Sequence, residues 1–255
     1  MFTGQPATDR GVTERDFELQ VEGRTVPGVL WTPAQVEAPG PLVLLGHGGS
    51  GHKREQYITA LARRLVRHLG FAAAAIDGPD HGDRRPDGGL DRDKVWAERQ
   101  ERRTGPDSTD AMVADWKASL DWLQGELHPT AIGYWGLSMG TAYGLPFVAA
   151  EPRVEAAVLG LNGAAPGPVE DIYRERNRLR FTADAPKINI PVLFIAQWDD
   201  ELAPRDYAFH LFGLLGSERK TMHVNPGLHA AVPPAEFDAS EQFFQHWLGK
   251  APVLA

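Results

Sequence analysis

The chain has 255 residues, 42% of them hydrophobic, and a net charge of -8 at pH 7. Such a length and apolar content fit one large α/β domain with a sizeable core, while the acidic balance disfavours nucleic acid and anionic membrane surfaces as partners. Cysteine is absent, which removes disulfide frameworks, thiolate nucleophiles and cysteine-ligated metal sites.

Residues 1–15 are polar, with Pro6, Asp9, Arg10 and Glu14, and lack the apolar core of a secretory signal. No run approaches the roughly 20 apolar residues of a membrane span, so a cytoplasmic protein is expected. Residues 15–21 alternate polar and apolar, and 25–31 resume after Glu22-Gly23-Arg24, which predicts a β-hairpin. A Pro- and Gly-rich connector, 32–41, leads into Leu42-Val43-Leu44-Leu45, a continuous apolar run that suits a strand covered on both faces. The run ends in Gly46-His47-Gly48-Gly49-Ser50-Gly51. Beyond it Ile58, Leu61, Leu65, Val66 and Leu69 fall at helical spacing before Gly70. Residues 71–76 form the next apolar run.

From 78 to 107 the composition turns polar and charged, most densely at 91–103 around Trp96. This predicts a surface excursion with one short helix, longer than an ordinary βα connection and a candidate lid. Pro106 with Ser108 or Thr109 announces a helix carrying Val113, Trp116, Leu120 and Leu123 on one face. A strand at 130–135, a helix at 141–150 and a strand at 154–161 follow. A second excursion, 162–187, is expected to carry a helix with Ile172, Tyr173 and Leu179 turned inward. The chain closes with a strand at 191–196, a helix from Pro204 to about Leu215, a strand at 220–224 and a helix at 234–248. Strands alternating with helices imply an α/β fold: a mostly parallel sheet of about eight strands with helices on both faces. Without a repeat or a linker, 1–255 reads as a single domain.

Gly136-Leu137-Ser138-Met139-Gly140 places one serine between two glycines, after a strand and before a helix. That is the pattern of a nucleophile elbow, in which a strained turn lifts the hydroxyl clear of the sheet. A serine hydroxyl needs a base to take its proton and a carboxylate to orient that base. Gln197-Trp198-Asp199-Asp200-Glu201 begins where the strand 191–196 ends, and His229 lies in Asn225-Pro226-Gly227-Leu228-His229 after the strand 220–224. His223 and His246 read as structural.

With the order serine, acid, histidine in place, the chain from about Phe17 to Leu248 resembles an α/β-hydrolase, nearest in general pattern to the dienelactone-hydrolase-like and serine esterase branch, with a short cap insertion. In that family the acid precedes a proline as D-x-x-x-P. Asp200 with Pro204 matches, while Asp199 is one residue out of step; Gln197 stands where relatives usually have glycine. The resemblance implies a catalytic triad of Ser138, Asp200 and His229. It also implies an oxyanion hole from the backbone amides of Met139 and, in His47-Gly48-Gly49, of Gly49 with Gly48 as runner-up.

Asp77-Gly78-Pro79-Asp80-His81-Gly82-Asp83 resembles the family segment D-x-P-G-x-G and is read as structural support, with no metal. Trp135, Leu137 and Trp198 are candidate substrate-binding residues, with Met139, for an apolar acyl pocket. Arg84, Arg85, Arg174 and Arg178 are candidates for meeting a carboxylate. The resulting expectation is a cofactor-independent carboxylesterase acting on a small-molecule ester through an acyl-enzyme, as a monomer or homodimer, with no nucleic-acid or membrane partner. The alternatives are an acyl-peptide or amide hydrolase with the same triad and a non-catalytic ligand-binding member. The lack of cysteine at the elbow disfavours dienelactone hydrolysis itself.

Overall fold

In a computed structural model the described residues are 1–35, 38–88, 91–101 and 107–249. Pro106, expected to open a helix, and the 102–106 stretch of the first excursion lie outside them. The described residues form nine strands: β1 (Phe2–Asp9), β2 (Val12–Val21), β3 (Arg24–Pro33), β4 (Leu42–Gly46), β5 (Ala72–Ile76), β6 (Ile132–Leu137), β7 (Val154–Gly160), β8 (Val192–Gln197) and β9 (Lys220–Asn225). The helices are α1 (Gln56–Leu69), α2 (Arg92–Glu101), α3 (Thr109–Leu127), α4 (Met139–Ala150), α5 (Ile172–Asp184), α6 (Arg205–Leu214) and α7 (Ala235–Leu248). No helix among the described residues is long and apolar enough to cross a membrane.

All nine strands join one sheet in the order β1-β2-β3-β5-β4-β6-β7-β8-β9. The first three are antiparallel to their neighbours, and β5-β4-β6-β7-β8-β9 are parallel. Continuous apolar sequence in β4 to β8 follows from burial on both faces. Because successive side chains point to opposite sides, Tyr134 joins Trp116, Phe147 and Phe181 under α3, α4 and α5. Its neighbour Trp135 joins Leu61, Leu65 and Phe244 under α1 and α7.

The mostly parallel sheet has nine strands where about eight were expected, the additional one being Phe2–Asp9, an antiparallel edge strand along β2. Its polar residues are nearly all exposed; an edge strand pairs through its backbone on one side and shows no burial periodicity. The inward face expected of Ile172 and Leu179 in α5 does need correction: they are 49% and 55% exposed, whereas Phe181 is buried. The helix has few apolar positions, and its contact with α4 sets its rotation through Phe181.

Candidate active site

The tight junction of β6 and α4 follows from glycine. A Cβ on Gly140 would stand 2.4 Å from the Gly46 carbonyl oxygen, and one on Gly136 would stand 2.8 Å from the Gly140 carbonyl. Strand and helix therefore meet at a distance that no other residue permits. Between them Ser138 has φ 59° and ψ -116°, a sparsely populated conformation costing about 1–3 kcal/mol that surrounding contacts must offset. The Ser138 N–H donates to the Gly160 carbonyl at 2.9 Å, and the Ser138 carbonyl accepts from Thr141 and Ala142 N–H, each at 3.0 Å. The Asn162 amide adds a donor to that carbonyl at 3.1 Å.

The chain ends of β8 and β9 deliver the partners. His229 Nε2 lies 2.9 Å from Ser138 Oγ, and His229 Nδ1 lies 2.9 and 2.8 Å from Asp200 Oδ1 and Oδ2. Asp200 is buried and accepts the N–H groups of Leu202 and Ala203 at 2.9 and 2.7 Å. An Nδ1–H donated to a carboxylate leaves the Nε2 lone pair facing the serine hydroxyl, the arrangement a general base requires. Asp199 is exposed and its backbone N–H donates to the Gly227 carbonyl at 3.1 Å, while its carboxylate has no hydrogen-bond partner among the described residues. Glu201, also exposed, accepts the His229 N–H at 2.8 Å. Gln197 is buried under the same loop and donates to the Leu228 carbonyl at 3.3 Å; the larger side chain in the glycine's usual place fills space beneath the histidine loop.

The loop after β4 is held by Tyr57, which the sequence did not single out, and by His47 and His81. Gly48 N–H donates to Tyr57 Oη at 2.6 Å, so that amide is already engaged, while Gly49 borders the cleft beside Ser138. Burial pushes the Tyr57 phenol up to about 12, which keeps it neutral. His47 Nε2 accepts the Gly78 N–H at 2.9 Å, so its Nδ1 carries the proton and donates to the Gly48 carbonyl at 2.8 Å. Burial and then the neighbouring His81 lower His47 well below the usual imidazole range. His81 Nε2 lies 2.9 Å from the Gly49 carbonyl, and burial lowers its pKa too. On the helix side Met139 opens α4, where the first amides lack intrahelical acceptors.

Asp77 is fully buried. It accepts Lys53 N–H at 2.8 Å, Lys53 Nζ at 2.7 Å and Asp83 N–H at 2.8 Å. The lysine ammonium thus supplies the positive charge between Asp77 and Asp83, and among the described residues no group of three or more carboxylates and imidazoles is arranged to hold a metal.

Two limbs of one cleft meet at Ser138 and His229. The apolar limb, of about 550 Å³, is lined by Tyr57, Trp96, Trp135, Leu137, Val232 and Phe237. The polar limb, of about 230 Å³, is lined by Trp96, Arg99, Gln100, Asn162, Tyr173 and Arg174. Trp135 is nearly buried, with its indole N–H on Ser240 Oγ at 3.1 Å, and forms the floor. Trp198 borders neither limb: it is 49% exposed and lies under the Arg205 guanidinium at 4.5 Å. In the turn after β8 the ring faces outward, away from both limbs, and Trp198 does not make the expected contribution to the pocket. Arg84 pairs with Asp115, Arg85 with Asp87 and Glu98, and Arg178 with Glu175, leaving Arg174 as the one of those four at the cleft. Arg99, unremarked within the charged 91–103 stretch, reaches the cleft from α2.

No family model matches the chain, and no curated protein does. Solved structures match along nearly its full length. A PEG-bound complex of a cold-adapted esterase from an Arctic intertidal metagenomic library is 42% identical, covers 97% of this chain and 99% of that one, and has a TM-score of 0.81. An acetyl xylan esterase from Paenibacillus sp. R4 is 18% identical over 97% of this chain and 89% of that one, with a TM-score of 0.70. A dienelactone hydrolase from Anabaena variabilis is 20% identical over 94% and 100%, with a TM-score of 0.68. The last two likenesses are of fold alone.

Proposed function

The chain belongs to the esterases of the α/β-hydrolase superfamily, and from that premise we propose that it cleaves carboxylic esters of small molecules through Ser138, His229 and Asp200. It is a carboxylesterase-like hydrolase; the mechanism is our reading. The observation that carries it is the continuous relay from Ser138 Oγ through both nitrogens of His229 to the buried Asp200 carboxylate.

In this reading Ser138 Oγ attacks the ester carbonyl as His229 Nε2 takes its proton. Positioned general-base transfer of this kind contributes about 10²–10⁴ in rate. Asp200 holds the ring in the Nδ1–H tautomer and stabilises the imidazolium. The oxyanion accepts hydrogen bonds from the Met139 and Gly49 amides, each such donor being worth about 3–4 kcal/mol in the transition state. Collapse breaks the bond to the alcohol oxygen, which leaves with the proton from Nε2. Water then gives a proton to Nε2 and attacks the acyl-enzyme; collapse frees the acid and returns the proton to Ser138 Oγ.

The test is hydrolysis of p-nitrophenyl acetate and butyrate at neutral pH with chelator present, beside Ser138→Ala. Turnover that survives chelation and disappears in the variant is the expected result. Wild type and variant equally inactive on these and longer esters would remove the proposal.

A further inference from the structure

Arg99 stands where a cation has an electrostatic consequence. It projects from α2, and its guanidinium packs directly on Gly49: a Cβ built there would lie 3.1 Å from Arg99 Nε and 3.2 Å from Cζ. The absence of a side chain at Gly49 is what lets the cation approach. On its other side Arg99 Nη1 donates to the Met139 sulfur, and Nη2 donates to Tyr173 Oη at 3.1 Å. The two residues that the guanidinium covers, Gly49 and Met139, are those whose amides form the oxyanion site in the reading above.

Its hydrogen-bond partners in the fold are a thioether and a phenol, both neutral, and no carboxylate among the described residues pairs with it. This differs from the nearby Arg84, Arg85 and Arg178, each of which meets an acid. A guanidinium has five N–H donors and keeps its charge at any working pH, so Arg99 brings an unneutralised positive charge to the polar limb. Its field reaches the oxyanion loop: Arg99 is among the groups that lower the pKa of both His47 and His81, the imidazoles that hold Gly48 and Gly49.

We propose that Arg99 is an electrostatic component of the oxyanion site, a cation supplied by the first excursion that stabilises the negative charge developing on the substrate carbonyl oxygen. This rests on the esterase reading and adds to it a group outside the triad and the two amides. The charge is fixed before reaction begins, in a partly buried cleft where such preorganisation is strongest. It also assigns the contact between α2 and α5: Tyr173 holds the guanidinium from the second excursion, so both excursions together aim the charge.

The experiment compares Arg99→Met and Arg99→Lys with wild type on neutral p-nitrophenyl butyrate. It also measures inhibition by butylboronic acid, whose boron accepts Ser138 Oγ and becomes a tetrahedral anion while the serine proton passes to His229. Methionine keeps an apolar stem against Met139 and Tyr173 but removes the charge; circular dichroism and thermal unfolding monitor the fold. Arg99→Met should lower kcat about 10- to 100-fold, less than the roughly 10²–10³ lost with a direct oxyanion hydrogen-bond donor, because the charge acts beside the two amides. KM should change less than about threefold, and the boronate inhibition constant should rise in step with the loss in kcat. Arg99→Lys should recover at least part of both.

A rise in KM alone, or a fall in kcat without weaker boronate binding, would assign Arg99 to lid packing and overturn the proposal. So would normal turnover of the neutral ester with impaired turnover of its anionic counterpart, p-nitrophenyl hemisuccinate, since Arg99 would then select substrate charge. If Arg99→Met does not fold, loss of boronate affinity in the folded Arg99→Gln carries the same test. Ser138-dependent turnover unaffected by any Arg99 variant overturns this proposal alone; a wild type inactive on every ester overturns the esterase reading and this with it.

Discussion

The Glu201 carboxylate accepts the backbone N–H of His229 at 2.8 Å, tying the turn that carries Asp200 to the loop that carries the histidine. Adjacent acids thus hold His229 twice, Asp200 by its ring and Glu201 by its main chain. Glu201 is exposed, so the bond is worth less than a buried one. Glu201→Ala should lower kcat about fivefold, equivalent to about 1 kcal/mol, with KM held. Glu201→Gln, whose amide oxygen still accepts, should retain most of the activity. Steady-state kinetics on p-nitrophenyl butyrate decide this, and equal losses in the two variants would mean that the main-chain bond is not what matters.

Asp199 and Asp200 are neighbours with different surroundings. Asp200→Asn should cost about 10⁴ in kcat, because an amide at that position favours the wrong tautomer of the base. Asp199→Asn should stay within about threefold of wild type, as expected for an exposed side chain without a role in the relay. A large loss in the second variant would move the acid assignment by one residue.

Gly140 is sterically constrained, since an added Cβ would meet the Gly46 carbonyl at 2.4 Å and the obstacle is backbone. Gly140→Ala should destabilise the fold by about 3 kcal/mol, or about 6–12 °C in Tm for a chain of this size. Thermal unfolding reads this directly; an unchanged Tm would show that strand and helix can separate at little cost.

Acid should weaken the fold through His47 and His81, both lowered by burial. Below about pH 6.5, where an unfolded imidazole takes up its proton, the unfolded chain binds more protons than the folded one, and stability rises with pH. Their contribution is therefore complete above that value and is lost as pH falls toward the folded values. Protonated His47 also loses the lone pair that accepts Gly78 N–H. Each tenfold difference in proton affinity is about 1.4 kcal/mol, or about 3–5 °C in Tm. Tm should fall between about pH 7 and pH 5, and His47→Gln should flatten the curve; parallel curves would remove His47 as a cause.

Ser138 was legible because its requirements are local: two glycines at fixed spacing, a strand before and a helix after. The central strands were legible for a related reason, since burial on both faces forces continuous apolar sequence. Asp200 and His229 could be located from the strands that precede them, but the distinct tasks of Asp199, Asp200 and Glu201 depend on a loop that lies 28 residues beyond Glu201 in the case of His229. The edge strand Phe2–Asp9 left little trace in the pattern, because backbone pairing makes few demands on side chains. Trp198 and Leu179 were misjudged by the same logic, apolar type alone giving no direction.

The apolar period and the glycine spacing of the chain by themselves determined the parallel sheet and the elbow, since both express constraints between near neighbours. Tertiary structure alone decided that Tyr57 engages the Gly48 amide, that His47 and His81 brace the loop, and that Arg99 lies on Gly49 and Met139. Those contacts join segments distant in the chain, and a polar side chain carries no local mark of the partner that folding will bring to it.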